Sequence, residues 1–135
     1  MKCAISGSFR KYYKEICQAY DIFEQNGIVI LSPQKSRIIN PGEEFALLET
    51  DLKSLSRKQL EDRHLEAIAN SDFVYLVNPN GYIGNSATFE IGYAHGCNKP
   101  IYSLDIIEDI TLQEYVCKIF SPKEIIDFLK LPAGR

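Results

Sequence analysis

The features that mark a membrane, secreted or nucleic-acid-binding protein are missing from this 135-residue chain. No apolar run approaches the roughly 20 residues that a bilayer span needs, and the N-terminus lacks the charged-then-apolar plan of a signal peptide. Basic residues are not in excess. Fifteen Lys and Arg stand against eighteen Asp and Glu, a net charge of −3, so neither a nucleic-acid polymer nor an anionic membrane surface is an expected partner. The four cysteines, Cys3, Cys17, Cys97 and Cys117, form no Cys-x-x-Cys pair and have no His at metal spacing. That excludes a zinc site and leaves free thiols, mostly in the core, of a cytoplasmic protein. G-x-G-x-x-G is absent as well, so no dinucleotide fingerprint is present and no cofactor is expected. Without repeats, low-complexity segments or a linker, residues 1–135 read as a single domain.

What is present concentrates between Asn78 and Pro100. The apolar run Phe73–Val77 precedes this stretch and reads as a buried strand, and Ile101–Leu104 follows it as another. Between them Pro79, Gly81 and Gly84 interrupt regular structure, and Asn85 and Ser86 are good N-caps for a helix over about 87–97. Strand, Gly-containing loop, helix and strand make a βαβ unit, which holds ligands at the carboxyl ends of its strands. Glu90 falls in the first turn or so of that helix, where amides and macrodipole favour a negative charge. A Glu near a helix start is ordinarily a solvated residue complementing the dipole. Here it shares its face with Tyr93, Ala94 and Cys97, none of them charged, which is unusual for a purely solvated carboxylate.

The rest of the chain supports an α/β alternation. Cys3-Ala-Ile5 is a first strand, and Ser6-Gly7-Ser8 leads from it into a helix expected over about Phe9–Gln25 with Arg10 in its first turn. That is where such a fold holds a phosphate, although a plain N-cap by Ser6 or Ser8 with an exposed Arg explains the same residues. Ile28–Leu31 is a second strand, and Gln34–Glu44 is a polar loop long enough to be a ligand-side element. Phe45–Leu48 reads as the start of a short helix or lid. Leu55–Asn70 has helical periodicity through Leu60, His64, Ala67 and Ile68. A short helix capped at Thr111, a short strand within Val116–Phe120 and a last helix begun by Ser121-Pro122 complete the pattern. The expected fold is a three-layer, Rossmann-like (flavodoxin-like) α/β domain with a mostly parallel sheet of about five strands.

Gly84 to Ala94, Gly-Asn-Ser-Ala-Thr-Phe-Glu-Ile-Gly-Tyr-Ala, followed by Asn98-Lys-Pro100, resembles the signature of the nucleoside 2-deoxyribosyltransferase-like superfamily, which includes nucleoside 5′-monophosphate N-glycosidases. The resemblance extends more weakly to Ser6–Arg10 and to the helix ending at Asp72. It implies an enzyme that cleaves or transfers at the N-glycosidic bond of a nucleoside or nucleoside 5′-monophosphate, with Glu90 as the nucleophile on C1′. It implies substrate contacts at Ser6, Gly7, Ser8, Phe9, Arg10, Gly84, Asn85 and Ser86, and a site shared between subunits of a homodimer or higher oligomer. The tyrosines and the Gly92/Gly96 face suit such close association.

Two positions depart from the family's pattern. Its helix before the Glu-bearing loop carries an Asp that orients or protonates the substrate, and here that place is His64. Imidazole can do acid/base work near neutral pH, and a packed helix histidine is the plainer reading. The transferases also have an acidic residue where this chain has Gly84, which favours monophosphates over free nucleosides. Two other readings stay open. The lysine-decarboxylase-like phosphoribohydrolases carry a Pro-Gly-Gly-x-Gly-Thr-x-x-Glu motif that Asn80–Glu90 echoes with altered spacing. A nucleotide-binding sensor that kept the pocket without the chemistry is the other.

Overall fold

A computed structural model of the chain describes residues 1–35 and 55–130. The expected ligand-side loop beyond Lys35 and the helix or lid at Phe45–Leu48 lie outside the described residues. Five strands, β1 (Lys2–Gly7), β2 (Val29–Ser32), β3 (Phe73–Val77), β4 (Ile101–Ser103) and β5 (Lys118–Ile119), form one sheet in the order β2-β1-β3-β4-β5. Every pairing is parallel. β3 sits at the centre with all five residues buried, as a parallel strand covered on both faces must be.

The helices are α1 (Tyr13–Gln25), α2 (Arg57–Ala69), α3 (Asn85–Gly96), α4 (Ile110–Gln113) and α5 (Pro122–Lys130). Alternation along the strands splits the core in two. Cys3, Ile5, Phe73, Tyr75 and Val77 point toward α1 and α5, where Ile16, Ala19, Tyr20, Phe23, Ile125 and Ile126 meet them. Ala4, Val74 and Leu76 point the other way, toward Ile68 of α2 and Ala87, Ile91 and Ala94 of α3. The three-layer expectation therefore holds. About 25 cal/mol per Å² of apolar surface removed from water drives both halves.

Several helix starts differ from the sequence expectation. α1 begins at Tyr13, not near Phe9, because Ser8 first organises a tight turn. Its carbonyl accepts from the Tyr12 amide at 2.8 Å, and its Oγ accepts from the Lys11 amide at 3.2 Å. Arg10 therefore lies in that turn rather than in the first turn of the helix. α3 is capped by Gly84, with Asn85 and Ser86 already inside the helix. α4 is capped by Asp109, whose carboxylate accepts from the Leu112 amide at 2.9 Å, rather than by Thr111. At the last helix, expected to begin at Ser121-Pro122, the structure agrees: Pro122 is its first residue, and Ser121 and Glu124 exchange reciprocal bonds of 3.2 and 2.7 Å. Among the cysteines only Cys3 is buried, with its thiol pushed up to about 12 by burial. The expectation that most of them are core residues is corrected: Cys17 and Cys97 are half-buried and Cys117 is exposed.

At the carboxyl ends of β3 and β4, the fully buried Asn78 ties the two strands together. Its amide nitrogen donates to the Asp105 carbonyl and its oxygen accepts from the Asp105 amide, both at 2.9 Å. Gly81 follows at φ +83°, and a Cβ there would sit 2.5 Å from the Ile106 carbonyl oxygen. Only glycine fits this turn. It delivers the chain to Gly84 and so sets where α3 begins.

Candidate active site

A cleft of about 850 Å³ opens at the carboxyl ends of β1 and β2, between α2, α3 and the loop after β1. This is the side on which doubly wound sheets hold ligands. Glu90, His64, Gly7, Ser8, Phe9, Arg10, Gly84, Asn85 and Ser86 all line it. Ser6 does not. It is 1% exposed, beneath the cleft, and its Oγ stands 3.1 Å from His64 Nε2. Side-chain alternation explains this: with Ala4, Ser6 faces the α2/α3 side of the sheet, directly toward the imidazole.

Glu90 is the sixth residue of α3, two residues deeper than the sequence suggested, and only 7% of it is exposed. The free amides of the first turn do not account for its ionisation. Burial pushes its carboxyl upward. A hydrogen bond to His64, electrostatic attraction to the same ring and side-chain hydrogen bonding with Glu61 and Ser6 outweigh that penalty and hold it below the usual carboxylate value. His64 Nε2 lies 3.2 Å from Glu90 Oε1. On the other side of the ring, Nδ1 stands 2.6 Å from Ser32 Oγ at the end of β2. The ends of β1 and β2 thus clamp one imidazole against one carboxylate.

The walls have chemistry of their own. Arg10, Arg57, Lys58 and Arg63 line the cleft, an accumulation of positive charge on a chain whose net charge is −3. Lys58 is engaged by Asp62 at 2.7 Å. Tyr82 forms part of the wall, with Lys11 Nζ 3.8 Å above its ring. Phe89 lines the cleft while remaining 59% exposed, so its ring is available for stacking.

Sequence reasoning missed Glu61, Ser32, Arg57, Lys58, Arg63, Tyr82 and Phe89. For Glu61 a signal existed, since it stands three residues before His64 and so shares its helix face. Ser32 had none, because strand order alone brings β2 beside His64. His95 is exposed against Tyr115 with ring centroids 4.7 Å apart. Among the described residues no group of three or more His, Cys, Asp or Glu is arranged to hold a metal ion.

No protein-family model and no curated protein matches the chain. Solved structures do. A 2-deoxyribosyltransferase from Bacillus psychrosaccharolyticus matches with TM-score 0.66 and 15% identity, over 99% of this chain and 94% of that one. A Clostridium botulinum CMP N-glycosidase matches with TM-score 0.63 and 14% identity, over 96% and 97% of the two chains. A conserved protein from Enterococcus faecalis matches with TM-score 0.59 and 14% identity, again over 96% and 97%. The chain shares the fold of these proteins. It is the fold expected from the alternation of strands and helices, and the likeness extends over nearly the whole chain. Among the described residues no helix is long and apolar enough to cross a membrane.

Proposed function

We propose that this protein belongs to the nucleoside 2-deoxyribosyltransferase-like superfamily and cleaves the N-glycosidic bond of a nucleoside 5′-monophosphate, with Glu90 as the nucleophile. One observation carries the reading: an almost fully buried carboxylate at the floor of a cleft, held ionised by its neighbours. Burying a charge costs several kcal/mol unless partners offset it, and a helix surface offers cheaper positions for a Glu. A carboxylate kept charged, oriented and accessible from one side is suited to attack an electrophilic carbon. The attack forms a glycosyl-enzyme, which water resolves.

His64 acts on the reaction through Glu90. With one ring nitrogen against Ser32 and the other against Ser6 and Glu90, it orients the carboxylate and supports its charge. Arg10, with Arg57 and Arg63 on the opposite wall, supplies the charge that a 5′-phosphate needs. Gly7, Ser8, Phe9, Gly84, Asn85 and Ser86 contribute the remaining contacts. The likeness to a CMP N-glycosidase favours a monophosphate over a free nucleoside. The protein works as a homodimer or higher symmetric oligomer. Gly92 and Gly96, with no atom within 4 Å of an added Cβ, leave a smooth face for a second copy.

The test is a panel of nucleosides and 5′-monophosphates, with released base followed by chromatography. Release from monophosphates is expected, with Arg10→Ala weakening monophosphate use far more than nucleoside use. An equal loss on both substrate types shows that no phosphate is read at Arg10. The absence of base release from any member sinks the glycosidase reading and favours a nucleotide sensor.

A further inference from the structure

Between the loop after β1 and the start of α3 stands a ring that the reading above leaves without a role, and its place is fixed from several sides. Tyr82 closes the short turn Pro79–Gly81 that leads toward α3. Its hydroxyl end lies over the start of that helix, 3.4 Å from where a Cβ on Gly84 would sit. From the loop after β1, Lys11 sets its ammonium 3.8 Å from the centroid of the ring, well inside cation–π range. The backbone of Lys11 is itself tied down, since its amide donates to Ser8 Oγ at 3.2 Å. Tyr12, next along, meets Tyr82 edge-to-face with centroids 5.9 Å apart, and its hydroxyl donates to the Pro79 carbonyl at 3.4 Å. Tyr82 is still 39% exposed. Among the described residues it lines the cleft and Lys11 does not. The ammonium therefore covers the side turned away, and the rest of the ring is offered to the contents of the cleft.

We propose that Tyr82 is a specificity-determining residue of this cleft, a stacking platform for the substrate's base that Lys11 tunes toward neutral, electron-rich rings and away from cationic ones. The proposal rests on the nucleotide reading above and narrows its substrate class. A ring already held on one face, at its edge and at its hydroxyl end loses little freedom when a base lies against it. The contact is therefore preorganised. Aromatic rings attract one another by setting negative faces against positive edges, in offset or edge-to-face contacts. An ammonium on one face draws the π electrons toward itself and leaves the opposite face less negative. That face accepts an electron-rich neutral base more readily. A cationic base placed there meets a like charge across the thickness of a single ring. Tyr82 and Lys11 thus act as one unit, the first supplying the surface and the second its preference.

Titration calorimetry on the full chain tests this with guanosine 5′-monophosphate, its cationic N7-methyl analogue and ribose 5-phosphate, which has no base. Tyr82→Ala is expected to weaken guanosine 5′-monophosphate by about 5–150-fold, the worth of one base–aromatic stack, and to leave ribose 5-phosphate unchanged. Tyr82→Leu fills more of the same space without a π face, and takes its place should the alanine protein fail to fold. Tyr82→Phe keeps the ring and is expected to bind as the wild type does. Lys11→Met keeps the stem without the charge, and is expected to improve the cationic analogue relative to the neutral one by about 2–30-fold. Wild-type affinity for guanosine 5′-monophosphate in Tyr82→Ala, or an equal loss on ribose 5-phosphate, overturns the platform. So does a wild-type protein that ignores the neutral nucleotide or binds the cationic one more tightly. An unchanged ratio in Lys11→Met overturns the tuning. Turnover separates this proposal from the reading beneath it. Where base is released, the loss in Tyr82→Ala is expected in KM with kcat little changed. Tyr82-dependent binding without release of base sinks the glycosidase reading and keeps the platform, whereas release that Tyr82→Ala does not affect does the reverse.

Discussion

The two faces of the sheet are covered by very different chemistry. On the α1/α5 face the core is built from rings, with Phe23 against Tyr75 at 5.3 Å and against Phe73 at 6.1 Å, and Phe73 against Tyr102 at 5.6 Å. The Tyr75 hydroxyl donates to the Phe120 carbonyl at 2.7 Å, and burial pushes its pKa upward. On the α2/α3 face the core is aliphatic and small, Ala4, Ala87 and Ala94 beside Ile68, Ile91 and Leu76. Small residues let the two helices lie close to the sheet. At the edge of that layer His64, Glu61 and Glu90 line one cleft, with Ser6 beneath it against His64. The costly burial of a charge on this face is explained by chemistry, since an apolar residue in its place would serve stability as well.

Breaking the aromatic face gives the largest expected effect on folding. Phe23→Ala removes a fully buried ring from the centre of that layer and should cost about 3–5 kcal/mol. Denaturant unfolding measures it, and turnover per folded molecule should not change. A comparable loss of specific activity would mean that the two faces are coupled.

The second prediction probes the charged face by pH. The folded value of Glu90 lies below its ordinary carboxylate value of 4.5. As pH falls, the unfolded chain takes up the proton first. The stability contributed by this carboxylate is therefore fully present above about 4.5, and it is lost as pH drops through the lowered folded value. Glu90→Gln should flatten that acid limb in unfolding curves taken between about pH 3 and 7. Parallel curves for the two proteins would show that Glu90 is not held ionised by its neighbours.

The smallest expected effect concerns the outer face of α3. Gly92 is exposed, with open space around an added Cβ, so Gly92→Ala should stabilise the dilute protein by about 0.5–1 kcal/mol. The same methyl should weaken association of copies that meet on this face, as light scattering at high micromolar concentration would show. A loss of stability in dilute solution would contradict the open geometry.

How far the sequence could be read follows the same division. The strands were legible because parallel strands buried on both faces are continuous apolar runs, as Phe73–Val77 shows. Glu90 was legible because its glycine-rich approach and family signature are contiguous. The start of α1 was not, since Ser8 serves a turn as readily as a helix cap and only the local hydrogen bonds distinguish them. Nor were the partners of His64. Ser6 and Ser32 are ordinary strand-end serines until strand order sets β1 and β2 side by side. Glu61 is one acidic residue among several on a polar helix, and only the approach of α3 to α2 brings it to Glu90.

Whether Glu90 forms a bond to the sugar is tested most directly by trapping it. A 2-fluoro sugar analogue, which slows breakdown of a glycosyl-enzyme, is incubated with the protein and the digest is read by mass spectrometry. The account predicts a single sugar adduct on the peptide containing Glu90, and no adduct together with turnover reduced by orders of magnitude in Glu90→Gln. A Glu90→Gln protein that keeps near-wild-type turnover on a verified substrate, or an adduct on a different residue, would contradict it.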